Sequence, residues 1–171
     1  MIKIGTNRVA LYPNNGFIYS NNGGDIIFHG HCHIGNNSAI AVGVHGKIEF
    51  GENFQATTTF RIASQFNIMF KENVSFGWDC LVMDSDFHKL TKISGGYTKG
   101  YGAIKVETNT WFGNGVLVLK NSYIPKCCVV GARSVISGKL DIPSYSLVSG
   151  NPATLKKTGV WRNPIDDKIQ Y

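Results

Sequence analysis

Large apolar side chains recur at every sixth position through the second half of the chain: Val106, Phe112, Val118, Ile124, Val130 and Ile136. Small or compact side chains follow four places behind, at Thr110, Val116, Ser122, Cys128 and Ser134. An amphipathic helix repeats at about 3.6 residues and a half-buried strand at about 2, so neither yields two phased rows of period six. Such a period predicts an all-β fold, a parallel β-helix of hexapeptide repeats. Each unit is then a short flat strand with a corner, and three units close a triangular coil. Large side chains fill the prism, and the tight corners admit only small ones.

The same spacing runs upstream through Phe70, Phe76 and Val82, with Val74, Cys80 and Asp86 in the small-residue row. The segments IGNNS, FGENF and FKENV, beginning at Ile34, Phe50 and Phe70, read as further copies of one unit. The phase slips between Ile62/Ile68 and Phe70, which predicts a residue or two inserted at a corner. A larger break comes at residues 89–103, KLTKISGGYTKGYGA, which has no apolar period and four glycines. It is expected to leave the coil as a loop, and loops on rigid scaffolds often carry binding function. The expected organisation is a β-helix over 1–153, irregular in its first coils (1–45), then a C-terminal tail over 154–171 with a helix as one option.

Length and composition fit a single domain of 171 residues with no apolar run long enough for a membrane-spanning helix. The first residues lack the apolar core and cleavage site of a signal peptide. Cys32, Cys80, Cys127 and Cys128 are expected to be reduced. Cys80 and Cys128 stand in the small-residue row, and the adjacent pair Cys127 and Cys128 would point to opposite faces of a strand. The expected location is therefore the cytoplasm. Lysine and arginine number 17 against 11 acidic residues, a net charge of +6. They are scattered, and no recognition helix, zinc finger or RNA-binding signature accompanies them, so nucleic acid is not the expected partner. The one local concentration is Lys156, Lys157 and Arg162, with Lys139 upstream; it suits a small phosphorylated ligand, and a solvated tail is the plain alternative.

Segment 106–153 resembles the terminal coils of the bacterial hexapeptide-repeat acyltransferases. Its closing Ser149-Gly150-Asn151-Pro152-Ala153 is similar to the motif that ends the β-helix in their sugar O-acetyltransferase branch. Upstream, Val74-Ser75-Phe76-Gly77-Trp78-Asp79 leads into Met83-Asp84-Ser85-Asp86-Phe87-His88, which resembles the family segment ending in its catalytic histidine. The resemblance implies a left-handed winding, a homotrimer with active sites shared between subunits, and acetyl transfer from acetyl-CoA to a sugar hydroxyl without a metal. The acceptor it implies is a bacterial surface glycan or its precursor. It implies CoA contacts from Gly131, Ala132, Ser149 and Gly150 in an outer groove, and from Lys156 and Lys157 at the nucleotide phosphates. Lys139 is carried over with them, although Ser137-Gly138-Lys139-Leu140-Asp141 is longer than the family pattern. Trp111 matches a tryptophan beside the active site; Trp78, Tyr97 and Tyr101 complete the expected acceptor contacts, and ordinary packing is the alternative for Trp111.

The chemistry stands on its own grounds as well. An alcohol is a poor nucleophile until a base takes its proton, and histidine is the side chain suited to that near neutrality. His88 follows Asp84 and Asp86 at even spacing, which puts all three on one side of an extended chain. Either carboxylate could accept the imidazole N–H. The choice stays open, because Asp86 falls on the corner row and can turn inward. Direct attack on the thioester then needs backbone N–H donors for the oxyanion, which interrupted corners can supply. A cysteine nucleophile is not expected, since no cysteine has a histidine motif around it.

Other readings compete. His29, His31 and His33 would share one face of a strand around Cys32, but a zinc site would need further ligands at known spacing, and an exposed strand face is the expectation. A prism-shaped carbonic anhydrase would need histidines beyond His88, and all five lie at or before it. A bare scaffold would have no need of the His88 segment, the loop or the basic tail. N-acyl transfer to an amino sugar remains the alternative within the transferases.

Overall fold

The computed structural model describes residues 1–6 and 15–165. Among them are nineteen short strands and no helix, arranged as three sheets around one core. Face A holds Ile2–Thr6, Cys32–Gly35, Phe54–Ala56, Ser75–Phe76, Trp111–Phe112, Val129–Val130, Ser146–Gly150 and Ala153–Thr158. Face B holds Phe17–Asn21, Ser38–Val42, Arg61–Ser64, Leu81–Met83, Leu117–Leu119 and Val135–Ile136. Face C holds Asp25–Phe28, Lys47–Phe50, Ile68–Phe70, Ile104–Val106 and Tyr123–Ile124. Every pairing is parallel except the last on face A, so the chain visits A, B and C in turn and climbs one rung per coil. This is the triangular β-helix that period six predicts, in the left-handed form expected from the resemblance.

Both rows of the sequence pattern point inward. Val106, Phe112, Val118, Ile124, Val130 and Ile136 are buried, as are Thr110, Val116, Ser122, Cys128 and Ser134. The upper coils hold aliphatics, whereas the middle of the prism is filled by phenylalanine. Phe50, Phe54, Phe60, Phe70, Phe76 and Phe112 are fully buried, and Phe76 lies flat on Phe112 with ring centroids 4.1 Å apart.

The register locates the insertions. Along the core, Phe50, Ala56 and Ile62 are partnered one rung up by Phe70, Phe76 and Val82, and those by Val106, Phe112 and Val118. Every step from face C to A, or from A to B, in these coils spans six residues. The steps from B to C do not: Ile40 to Phe50, Ile62 to Phe70 and Val82 to Val106 are all longer. The slip expected between Ile62 and Phe70 is thus two residues at the B–C corner, and the long excursion leaves from the same corner one rung higher.

The other two corners repeat a fixed geometry. At the C–A corner Asn53, Asn73, Asn109, Cys127 and Tyr145 have φ between 54° and 63°; at the A–B corner Asn37, Thr59, Asp79 and Arg133 have φ between 53° and 58°. Left-handed backbone is least costly for glycine and asparagine, and the asparagines use their amides as well. Asn53 Nδ2 donates to Asn73 Oδ1 at 2.9 Å, and Asn73 Nδ2 to Asn109 Oδ1 at 2.9 Å. Ser149-Gly150-Asn151-Pro152-Ala153 is the turn at which the chain reverses, through a cis Asn151–Pro152 bond, into an antiparallel partner of Ser146–Gly150. That partner is Ala153–Thr158, so the first part of the tail is a strand rather than a helix, because its amides complete the open edge of face A. Residues 166–171 of the expected tail lie outside the described residues.

Candidate active site

The lengthened B–C corners stack on one another, and their side chains meet. Asp84, the first residue of the excursion, is wholly buried. Its carboxylate accepts from Ser64 Oγ (2.7 Å), Gln65 N–H (2.7 Å) and Phe66 N–H (3.0 Å), which closes the corner below. From there the chain forms an irregular hairpin. Ser85 bridges Tyr101, Thr91 bridges Tyr97, and Asp86 N–H donates to Gly100 carbonyl at 2.7 Å. Gly95 and Gly96, both at positive φ, form the tip. The expected loop is therefore ordered by its own backbone bonds, and its hairpin begins at Ser85, upstream of residue 89.

Between this hairpin and the two shorter corners lies a cleft of about 830 Å³. His88, Phe87, Lys89, Tyr97, Lys99 and Tyr101 line it from the hairpin, and His45, Gln65 and Phe66 from below. His88 is exposed, and its imidazole has no hydrogen-bond partner among the described residues. Phe66 packs on Tyr101 with centroids 5.0 Å apart. The cleft thus joins the free imidazole of His88 to several aromatic faces, the combination needed to hold a sugar beside a base.

The expected carboxylate partners of His88 do not reach it. Both oxygens of Asp84 are taken up by residues 64–66, because a buried carboxyl left without donors is costly. Asp86, half-buried, pairs through Oδ2 with the ammonium of Lys120 on the next coil. The even spacing holds only for extended chain, and the backbone turns at Phe87, where φ is 58°.

Trp111 stands on the outer side of face A, across the prism from the B–C corner, and does not line the cleft. It is partly exposed, with the guanidinium of Arg162 5.8 Å from its ring centroid, and Arg162 Nη1 donates to Ser75 Oγ at 2.9 Å. Trp78 is likewise apart from His88. It shares a hollow at the A–B corner with Ala132, Asn114, Gly115 and Arg133. Of the other residues expected at CoA, Gly131 lies against Ser149: a Cβ on Gly131 would meet that of Ser149 at 2.8 Å, so only glycine keeps the two strands in register here. Gly150 follows at the exposed turn, and Lys156 and Lys157 are exposed on Ala153–Thr158. Lys139 is not with them; it bridges Tyr123 on face C, because the longer segment 137–141 carries it around the prism.

The histidine cluster disperses. His29 and His31 lie at the corner after Asp25–Phe28 and His33 in the next strand, so they do not share one strand face. His29 Nε2 lies 3.0 Å from Glu49 Oε2, His31 Nδ1 3.2 Å from Glu52 Oε1, and His33 Nε2 2.5 Å from Thr6 Oγ1. Lys47 and His29 beside Glu49 hold its carboxyl below the usual range. Among the described residues no group of three or more ligating side chains converges. All four cysteines are free and buried, and burial pushes the Cys32 thiol up to about 12 and that of Cys80 up to about 11. Neither is near His88, and thiols this reluctant to ionise make poor nucleophiles.

Cleft residues that had not been singled out from the sequence include His45, Phe66, Lys89 and Lys99. Their signal was present in the spacing, since the first two sit inside the over-long B-to-C steps and the lysines inside the excursion.

No family model matches the chain. A probable acetyltransferase of Mycobacterium tuberculosis is 30% identical over 129 residues, 73% of this chain and 41% of that protein. A galactoside O-acetyltransferase of Lactococcus lactis is 29% identical over 114 residues, 64% of this chain and 52% of that protein. The chain thus spans about half or less of these curated relatives. Among solved structures, a variant of AntD, an N-acyltransferase from Bacillus cereus in complex with dTDP and coenzyme A, superposes with a TM-score of 0.61 at 15% identity, covering 82% of this chain and 83% of that one. At that identity the likeness is one of fold. Among the described residues no helix is long and apolar enough to cross a membrane.

Proposed function

We infer that this chain, which belongs to the hexapeptide-repeat acyltransferases, moves an acetyl group from acetyl-CoA to a sugar hydroxyl, with His88 as general base. One observation carries the reading: the lengthened corners, the free imidazole of His88 and the aromatic cleft all coincide at one vertex of the prism. The relationship to a galactoside O-acetyltransferase supports a sugar as acceptor, and a bacterial surface glycan or its precursor is the proposed setting.

In this scheme the apolar face of a pyranose rests on Tyr97 or Tyr101 and turns a hydroxyl toward His88. The imidazole takes the hydroxyl proton as the oxygen attacks the thioester carbonyl. When the tetrahedral intermediate collapses the carbon–sulfur bond breaks, and the imidazolium returns its proton to the departing sulfur. Among the described residues no cysteine lines the cleft, and the scheme has both substrates bound together with no acyl-enzyme. The small residues Gly131, Ala132, Ser149 and Gly150 would floor the CoA groove, with Lys156 and Lys157 at its phosphates.

One subunit does not assemble all of these groups. Trp111 and His88 are on opposite sides of the prism, and among the described residues no carboxylate orients the imidazole. A site that includes Trp111 is completed by a neighbouring copy, and the proposed assembly is a homotrimer.

Calorimetric titration with CoA, beside the solution mass, tests the reading first. One site per chain of a trimer is expected, and acetyl-CoA-dependent thiol release with a sugar panel should vanish in His88→Ala while CoA affinity stays. Turnover that survives His88→Ala removes the general base from the scheme. A folded protein that binds no CoA removes acetyl transfer altogether.

A further inference from the structure

We propose that the cleft beside His88 selects an acceptor sugar that carries a negative charge, as a carboxylate or a phosphate. The proposal rests on the acyl-transfer reading only in naming the ligand an acceptor. Its grounds are the charges around the cleft. Beyond Asp86 the hairpin contains Lys89, Lys92 and Lys99 and no acidic residue up to Tyr101. Among the described residues no aspartate or glutamate lines the cleft.

The two lysines on the wall are held in place by rings. Lys89 Nζ lies 4.1 Å from the centroid of Tyr97, and Lys99 Nζ lies 4.7 Å from that of Tyr101 and 5.3 Å from that of Phe66. A ring face occupies one side of an ammonium group and leaves N–H donors on the other. Neither lysine has an ion-pair partner among the described residues. That separates them from Lys47, Lys105 and Lys120, which pair with Glu49, Glu107 and Asp86.

The nearest acids are committed elsewhere. Asp84 is spent on Ser64 and the amides of Gln65 and Phe66, and Asp86 on Lys120. His45, across the cleft, can only add positive charge. A neutral sugar would leave two ammonium groups at the wall without a counter-charge. An anionic one would receive charge-assisted hydrogen bonds while its apolar face stacks on the same tyrosines.

The test is direct binding to the full chain. Maltotetraose serves as neutral probe, tetragalacturonate as carboxylate probe and glucose 1-phosphate as phosphate probe, each titrated by calorimetry. At least one charged probe should bind on the order of tenfold more tightly than maltotetraose, and its affinity should fall by about tenfold in Lys89→Gln/Lys99→Gln. It should also weaken as salt rises from about 20 to about 300 mM. Lys92→Gln, at the hairpin tip outside the wall, should have little effect. Which charged probe responds tells carboxylate from phosphate. Equal affinity for all three probes, no binding of either charged probe, or an affinity unmoved by the double substitution overturns the proposal. CoA titration of the same samples keeps the two readings apart, since loss of CoA binding counts against acyl transfer and not against anion selection.

Discussion

Replacing Asp84 separates a structural carboxylate from a catalytic one. The side chain is wholly buried and accepts three hydrogen bonds, from Ser64 Oγ, Gln65 N–H and Phe66 N–H, at 2.7, 2.7 and 3.0 Å. Alanine would leave the two amides without their acceptor at a partly buried corner. Losing a bond to an ionised group costs about 1.5–3 kcal/mol, and stranding a buried donor about 1–3 kcal/mol. These contributions overlap, so the net loss for Asp84→Ala is about 2–4 kcal/mol. Asparagine keeps the shape but turns an amino group toward one of the amide donors, and should recover less than half of that loss. In urea, with a slope of about 2 kcal/mol/M for a chain of this size, the Asp84→Ala midpoint should drop by about 1–2 M at constant slope. Asp86→Ala, which loses one ion pair at a partly exposed position, should cost less than about 1 kcal/mol. Tryptophan fluorescence during unfolding reads all three variants. An Asp84→Ala midpoint within about 0.3 M of the parent would refute the assignment of this carboxylate to the corner.

Three further outcomes can be checked. Phe76→Ala, at the centre of the ring stack with Phe54, Phe60, Phe70 and Phe112, should destabilise by about 3–5 kcal/mol, measured in the same denaturation experiment. Lys156→Ala with Lys157→Ala should weaken CoA binding, and by a larger factor at low salt, where phosphate contacts are least screened; calorimetry at two salt concentrations measures both. Co-refolding His88→Ala with Trp111→Ala chains should restore roughly a quarter of the parent turnover if each site draws one residue from each of two subunits. A mixture as inactive as its components would count against a shared site.

The fold was legible because burial and period coincide. Residues at every sixth place from Val106 to Ile136 have no choice but the prism interior, and the structure puts all of them there. The upstream half looked irregular only because the count was carried straight through the B–C corners. Restarted after each corner, the same step of six runs through Phe28, Ile34 and Ile40, then Phe50, Ala56 and Ile62, then Phe70, Phe76 and Val82. The placement of Tyr97 and Tyr101 beside His88 followed from chain proximity. The fate of Asp84 did not, since even spacing says which side a residue takes in an extended strand and nothing about a backbone that turns at Phe87. The faces that Trp111 and Lys139 occupy were not legible for a related reason: motif order along a coil does not say which of three faces a residue takes.

The single permissive vertex also bears on how such a chain can change. Each excursion leaves and rejoins the same rung, so the stack above and below keeps its register whatever the length of the insert. Faces A and B, the asparagine stair and the ring column are thereby insulated from edits to the hairpin that lines the cleft. A hairpin of different sequence, or no hairpin at all, could be spliced between Asp84 and Ile104, with Asp84 kept to close the corner below, without asking the prism to refold. The lining of the cleft can then drift or be engineered on a schedule of its own, independent of the scaffold's stability.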